Sequence, residues 1–458
     1  MQSMSINNYY SNPDVRARML EFLGGDSLEN VTSHYLTVGD TEHSGHRHPR
    51  PTNQLPSFWD RELAISRSLW DRESLIIHLD IEYVNFDFPA EPYLKPKRIF
   101  DLLRPVELAI EAVLLDYNIR PLHLLSGRGH HFVWRVRQNS VAFERLANLG
   151  HVPPTLEKLN ARFHRPNGEP VPSELGAAFA GLGLAMEHLA HRIKAESAPQ
   201  SEIPIELTAV EVGPQQHGRE MISIDISEYG DPLSTRVIRV PFSLYLKPLQ
   251  QRKMLGEDIV KRLPPLFLIP LHEMDVHEGI QVMRDINQVA DLAKRATAKI
   301  PDESHSAENL INSYESTALK NFHDWFYAQE PEPPEKWPQT YDRMSFDPMP
   351  FCTRHVLEHP NDLLLRPGNI KRLVRVLLAL GWHPRHIAGL MRSKFERDYN
   401  WGEAWIGYDP ATRADFYTRV FAGLFVTGQD DLVDFNCQSA KEEKICFAGD
   451  CPFKFRAI

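Results

Sequence analysis

An α+β sheet domain followed by a mostly helical module is the fold class this sequence predicts, and three observations predict it. A run of β-branched and apolar residues at 75–83 reads as a buried strand. Further strand-like runs recur at 121–125, 131–136, 206–212, 221–226 and 237–240, with helical segments between them. An acidic, proline-rich stretch, Glu330-Pro331-Glu332-Pro333-Pro334-Glu335, then reads as a stiff linker or extended spacer. Beyond it, residues 369–380, 384–395 and 411–425 carry helical spacing without strand signals.

The elements follow in order. Residues 7–72 are mixed in character and include His43, His46 and His48. No Cys lies near these histidines, so they read as a solvated loop. After the strand at 75–83, Ile99, Leu102, Leu103, Val106, Leu108, Ala109, Val113 and Leu114 give residues 98–117 a helical stripe. The strand at 121–125 breaks at Ser126-Gly127-Arg128-Gly129 and resumes at 131–136, a strand–turn–strand unit punctuated by glycine. Residues 141–197 are mainly helix and loop. Residues 270–328 look helical, most periodically over 279–298.

At 458 residues the chain exceeds one compact domain. The expected division is 1–265 for the sheet domain, 266–345 for a helical connector and linker, and 346–458 for the helical module. Hydrophobic residues make up 42% and charged residues 24%, enough apolar material for two cores. No apolar run is long enough to span a bilayer. Residues 1–16 lack the basic-then-apolar order of a secretory signal, so a cytoplasmic protein without a membrane partner is expected.

Asp80 and Glu82 stand two apart on a predicted strand, so both side chains leave the same face. Two acids among strong hydrophobes are costly unless cations neutralise them, and hard oxygen ligands suit Mg²⁺ or Mn²⁺. Taken alone, the pair also fits a solvated strand face. A third acid, Asp225, ends the apolar run at 221–224. Three carboxylates on adjacent strands suffice for two metals about 4 Å apart, the arrangement of in-line phosphoryl transfer. Asp231, before Pro232, reads as a turn residue. Ser126, Gly127, Arg128, Gly129 and the imidazoles of His130 and His131 supply the donors a triphosphate needs, and Arg236, Arg239, Ser243 and Lys247 follow Asp225.

These three segments resemble the motifs of the archaeo-eukaryotic primase superfamily: Asp80-Ile81-Glu82, then Ser126-Gly127-Arg128-Gly129-His130-His131, then Ile224-Asp225 with Arg236 to Ser243 and Lys247. The resemblance covers roughly residues 70 to 250, and the closing Pro241-Phe242-Ser243 with Lys247 is similar to the primase small subunit. It implies catalytic metal ligands at Asp80, Glu82 and Asp225. It implies triphosphate contacts at Ser126, Arg128, His131 and Lys247, with Arg236 and Arg239 supporting; His131 fits the family histidine better than His130. The Cys/His zinc knob of many primase small subunits is missing.

All four cysteines, Cys352, Cys437, Cys446 and Cys451, lie at one end, separated by 84, 8 and 4 residues. That spacing differs from paired Cys-x-x-Cys zinc knuckles, and a reducing compartment disfavours disulfides. Four thiolates suit a [4Fe–4S] cluster that staples the helical module. This end resembles the iron–sulfur domain of the primase large subunit, through Gly381-Trp382, residues 398–408 and Cys451-Pro452-Phe453. Although the net charge is −10, residues 366–397 hold eight Lys or Arg and one acid, Glu396. This basic island is expected either to contact template phosphates or to form a solvated helix face. The expected function is a DNA primase-polymerase acting on single-stranded template with nucleoside triphosphates. The alternatives are a primer-dependent polymerase of the same superfamily and a non-catalytic iron–sulfur nucleic-acid-binding protein. With no Gly-x4-Gly-Lys-Ser/Thr loop, unwinding would need a separate helicase.

Overall fold

The computed structural model describes residues 4–43, 48–162, 169–208, 220–361, 364–399, 401, 408–432, 434–442, 444–447 and 451. His46, the strand end at 209–212, Asn400, residues 402–407, Pro452 and Phe453 therefore lie outside the described residues. The fold is mixed α+β, with a helical C-terminal region.

Nine strands are described: β1 (Leu36–Gly39), β2 (Ala64–Ser68), β3 (Ser74–Asn85), β4 (Leu122–Ser126), β5 (Gly129–Arg137), β6 (Ile205–Leu207), β7 (Glu220–Asp225), β8 (Val237–Arg239) and β9 (Ile269–Pro270). Six form a mixed sheet in the order β6-β7-β3-β5-β4-β9. Only the β6–β7 pairing is parallel. Strand β3 is internal to the sheet, which is why its sequence is apolar on both faces from Leu75 to Ile77. The three remaining strands form a second sheet, β1-β2-β8. The run at 237–240 thus leaves the main sheet, pairing its Ile238 with Arg67.

On one face of the main sheet His130 meets Phe100 of the helix Pro96–Asp116 edge-on, at 5.2 Å between ring centroids. That helix buries Ile99, Leu103, Val106, Ala109, Val113 and Leu114 of the stripe its sequence announces and adds Ile110, while Leu108 faces outward. The helix Ser173–Ser197 packs against it.

The main sheet runs past residue 265, since β9 pairs with β4. The periodic stretch at 279–298 divides into Val276–Val282 and Ile286–Arg295, because the Asp285 side chain accepts from the Asn287 N–H and caps the second helix. Residues 330–335 are seated rather than free-standing. Tyr341 accepts a hydrogen bond from the Glu332 N–H at 3.1 Å, and the Trp337 indole donates to the Glu332 carbonyl at 2.8 Å. A Cβ on Gly389, in the helix Pro384–Phe395, would meet Tyr341 and Pro331, so the spacer lies directly on that helix. One apolar core then runs without a break from Tyr9 to Phe435.

In the C-terminal region the helix Pro367–Ala379 ends at Gly381, whose φ of +84° favours glycine. The N–H of Trp382 bonds the Leu377 carbonyl and that of Gly381 the Leu378 carbonyl, a Schellman closure. The helices Pro384–Phe395 and Pro410–Val426 follow and pack on each other. No helix among the described residues is long and apolar enough to cross a membrane.

Candidate active site

Strand alternation places His78, Asp80 and Glu82 on one face of β3. Register does the rest: Asp80 stands opposite Asp225 on β7 and opposite His131 on β5. Glu82, one pleat along, stands opposite Ser223 and Gly129. Three acids and a histidine from three adjacent strands therefore stand near one another on one face of the sheet.

The acids differ in their company. The Arg128 guanidinium pairs with Glu82, and Lys247 Nζ lies 3.3 Å from its other oxygen. Burial opposes the charge on Glu82, but these two cations outweigh it and hold the carboxyl below the usual range. Asp80 has no such partner. Burial, then the charge of Glu82, push its carboxyl well above the ordinary value, and Asp225 adds to this. Its Oδ1 accepts no hydrogen bond among the described residues, although His131 Nδ1 stands 3.4 Å away. Asp225 is also raised, chiefly by burial, while the Ser227 N–H donates to its Oδ1 at 2.9 Å.

Two raised carboxyls beside a lowered one leave a site short of positive charge. An orphaned, largely buried carboxylate oxygen facing a second acid across the strand pair is the donor set a hard divalent cation completes. Asp80, Glu82 and Asp225 supply the hard oxygen ligands that Mg²⁺ or Mn²⁺ takes, although their ligand atoms do not all lie within 4.8 Å of one another as those of Glu107, His123 and His130 do.

The loop at 126–129 owes its shape to close approach. A Cβ on Gly129 would stand 1.8 Å from the Ile81 carbonyl oxygen, and one on Gly127 would stand 2.7 Å from the Tyr245 ring. Neither glycine has positive φ, so the turn needs them for space and not for left-handed backbone. The Arg128 carbonyl accepts from the Tyr83 N–H at 3.0 Å, tying the loop to the acid-bearing strand.

Not every expected contact joins this group. Ser126 and Ser243 are buried and serve the backbone. Ser126 Oγ donates to the Gly129 carbonyl at 3.2 Å, and Ser243 Oγ accepts from the Ile65 N–H at 2.7 Å. Arg236 pairs with Asp231 and donates to the Ser227 carbonyl at 3.2 Å. Arg239 lies 4.9 Å over the Tyr245 ring and donates to the Leu244 carbonyl at 3.2 Å. Asp231 does more than turn the chain, since Arg413 of the helix Pro410–Val426 reaches it at 3.5 Å.

His130 points to the opposite face from His131. There it shares a hydrogen bond of 2.9 Å with His123. Glu107, His123 and His130 offer ligand atoms within 4.8 Å of one another. Arg104 lies 2.9 Å from the Glu107 carboxylate and competes with any cation for it.

Two residues that motif reading passes over belong to the site. His78 Nε2 lies 2.7 Å from His131 Nδ1, and His78 Nδ1 lies 2.9 Å from Glu228. Period-two alternation flags His78, which sits two residues before Asp80. Glu228 lies in the short 3₁₀ turn Ser227–Gly230 and carries no sequence signal.

None of the four cysteines is in a disulfide. Cys352 opens the helix Phe351–Glu358 and packs with Ala440, Ile445 and Cys446. Burial raises its thiol, and the neighbouring Cys451 and Cys446 raise it further. Cys437 heads the helix Cys437–Glu442. A buried thiol beside two others is the chemistry a metal or cluster relieves.

The basic island is largely spent inside the fold. Lys371 pairs with Glu206 at 2.8 Å, Arg375 with Asp434 at 3.0 Å, Arg385 with Asp415 at 2.6 Å, and Arg397 with Asp342 at 2.7 Å. Arg392 pairs with Glu396 at 2.5 Å and Lys394 with Asp342 at 3.9 Å, so at least six of the eight cations have carboxylate partners. A solvated helix face is ruled out for Lys371, Arg372 and Arg375, which are buried.

Comparison with protein-family models, curated proteins and solved structures found no match.

Proposed function

We propose that this chain is a DNA primase-polymerase, joining nucleoside triphosphates on a single-stranded template by two-metal nucleotidyl transfer. One observation carries the reading: Asp80 lies between Asp225 and His131 across the sheet, with Glu82 beside Arg128 and Lys247. A nuclease would use the acids but leaves that pair of cations, set beside them, without a task.

Asp80, Glu82 and Asp225 are the residues that would hold Mg²⁺ or Mn²⁺, which when bound acidifies an attacking hydroxyl and neutralises phosphate charge. The remaining work belongs to the chain. Arg128 and Lys247 neutralise Glu82 in the free protein, and the oxygens of a triphosphate take over as their partners. His131 offers a ring nitrogen to the same phosphates. Cys352, Cys437, Cys446 and Cys451 would hold a [4Fe–4S] cluster that closes the end of the helical region onto the helix of Cys352.

The internal pairing of the basic island favours a second reading, extension of an existing primer, because fewer cations remain to grip bare template. Iron-loaded protein, given Mn²⁺ or Mg²⁺, labelled ribo- or deoxynucleotides and a template with or without primer, tests both. Product from template alone supports primase activity, and product only from primed template selects the extension reading. No product in either case overturns the proposal and leaves the non-catalytic iron–sulfur binding protein.

A further inference from the structure

We propose that Glu228 and His78 are positioning residues that lock the His131 ring for the triphosphate of the incoming nucleotide; this rests on the nucleotidyltransferase reading. Three side chains form a continuous line. Glu228 Oε2 lies 2.9 Å from His78 Nδ1, and His78 Nε2 lies 2.7 Å from His131 Nδ1. The two imidazoles are nearly parallel, with centroids 4.9 Å apart and an interplanar angle of 19°.

The donor count shows what the line achieves. An ionised carboxylate only accepts, so His78 Nδ1–H donates to Glu228, and for His131 Nε2 to carry the proton a phosphate oxygen needs, the one hydrogen bond between the rings runs from His78 Nε2 to His131 Nδ1. Both nitrogens of His78 and one of His131 are committed within the protein. Nε2 of His131 is the nitrogen left over, and it has no hydrogen-bond partner among the described residues. A ring held by nothing would flip about its Cβ–Cγ bond and offer either nitrogen. The bond to His78 fixes which one is offered, as carboxylate partners do for metal-bound histidines.

The carboxylate end is itself fixed. Glu228 sits in the turn Ser227–Gly230, which begins where the Ser227 N–H caps Asp225. The Tyr229 hydroxyl donates to the His78 carbonyl at 2.9 Å, joining the turn to β3. Gly230 lies so close to Phe416 of the helix Pro410–Val426 that a Cβ would stand 2.6 Å from its ring. The pair is also largely buried, the His78 and Glu228 side chains being 7% and 12% exposed. Strand β3 is apolar at Ile76, Ile77 and Leu79 around His78, so packing alone gives no reason for a buried Glu–His pair, whose desolvation is costly.

The test is steady-state nucleotide incorporation on a primed template, with direct binding of a non-hydrolysable triphosphate in parallel. His78→Phe keeps the ring and removes both nitrogens; Glu228→Gln keeps the shape and removes the charge. Both should raise the nucleotide KM, by on the order of tenfold to a hundredfold for His78→Phe and less for Glu228→Gln, and weaken triphosphate binding in parallel. Adding His78→Phe to His131→Ala should cost nothing more than His131→Ala alone, because the relay acts only through that ring. Wild-type KM and binding in both single variants, or multiplying losses in the double variant, overturn the relay. Wild-type protein that binds the triphosphate but makes no product overturns the polymerase reading, while weaker binding in the variants still supports the relay.

Discussion

Glu187 and Asp80 are both acids withdrawn from water, and the fold treats them oppositely. Glu187, on the helix Ser173–Ser197, is fully buried, with Arg419 at 2.9 Å and His323 at 3.2 Å. Burial alone would raise its carboxyl, but His323 and Arg419 bring it down to about 2. No Lys or Arg pairs with Asp80; the more distant Lys247 and His78 only partly offset burial and the two neighbouring acids. The first cluster pairs its acid with an arginine and so ties the sheet domain to the C-terminal helices, although Glu187 Oε1, like Asp80 Oδ1, accepts no hydrogen bond among the described residues. The second is complete only with something added. A buried charge that its neighbours satisfy marks architecture, and one they leave unsatisfied marks a place for a ligand.

Mutation should break the comparison most visibly at Asp80. Asp80→Ala is expected to lower nucleotide incorporation by on the order of 1,000-fold or more while the protein melts at the same or a higher temperature, since an uncompensated carboxylate is lost. A parallel loss of stability and activity would make Asp80 structural. Arg419→Ala should do the reverse: it strands Glu187 and costs about 3–5 kcal/mol in denaturant unfolding, because the partner charge stays buried. A loss below about 1 kcal/mol would mean that His323 suffices alone.

Acid should act on the structural histidines next. Burial takes His191 down to about 4 and His123 down to about 3. Both are neutral in the folded protein, whereas the unfolded chain takes up protons below about 6.5. Their contribution is therefore full above pH of about 6.5 and is lost as the pH falls towards about 4, by on the order of 2 kcal/mol each. Melting temperature measured from pH 7.5 to 4.5 checks this, and His191→Gln should flatten the slope. The smallest effect belongs to the exposed Arg397–Asp342 pair, where Arg397→Ala should cost no more than about 1 kcal/mol.

Much of this was legible in the residues. The apolar run before Asp80 announced an internal strand, and the helices at 96–116, 384–395 and 410–426 fell within a residue or two of their periodic stretches. The pairing of Asp80 with Asp225 was expected only as adjacency, because register depends on long-range contacts that one sequence does not display. Ser126 and Ser243 looked like phosphate ligands since a hydroxyl in a loop reads the same whether it faces a ligand or its own backbone. The basic island looked like a nucleic-acid surface because its carboxylate partners, Glu206, Asp415, Asp430 and Asp434, lie far off in sequence or follow in other helices and loops. Glu228 was invisible for the same reason, since only the turn after Asp225 brings it to His78.

Divalent cation binding tests the central claim, that the carboxylate face is unfinished without metal, most directly. Melting of wild-type protein and of Asp80→Asn should be followed as Mn²⁺ is added in the presence of a non-hydrolysable triphosphate. The wild-type melting temperature should rise with Mn²⁺ by several degrees, as mass action requires of a ligand that binds only the folded state. Asp80→Asn should start at or above the wild-type temperature and respond little. Equal rises in the two proteins, or none in either, would contradict the account.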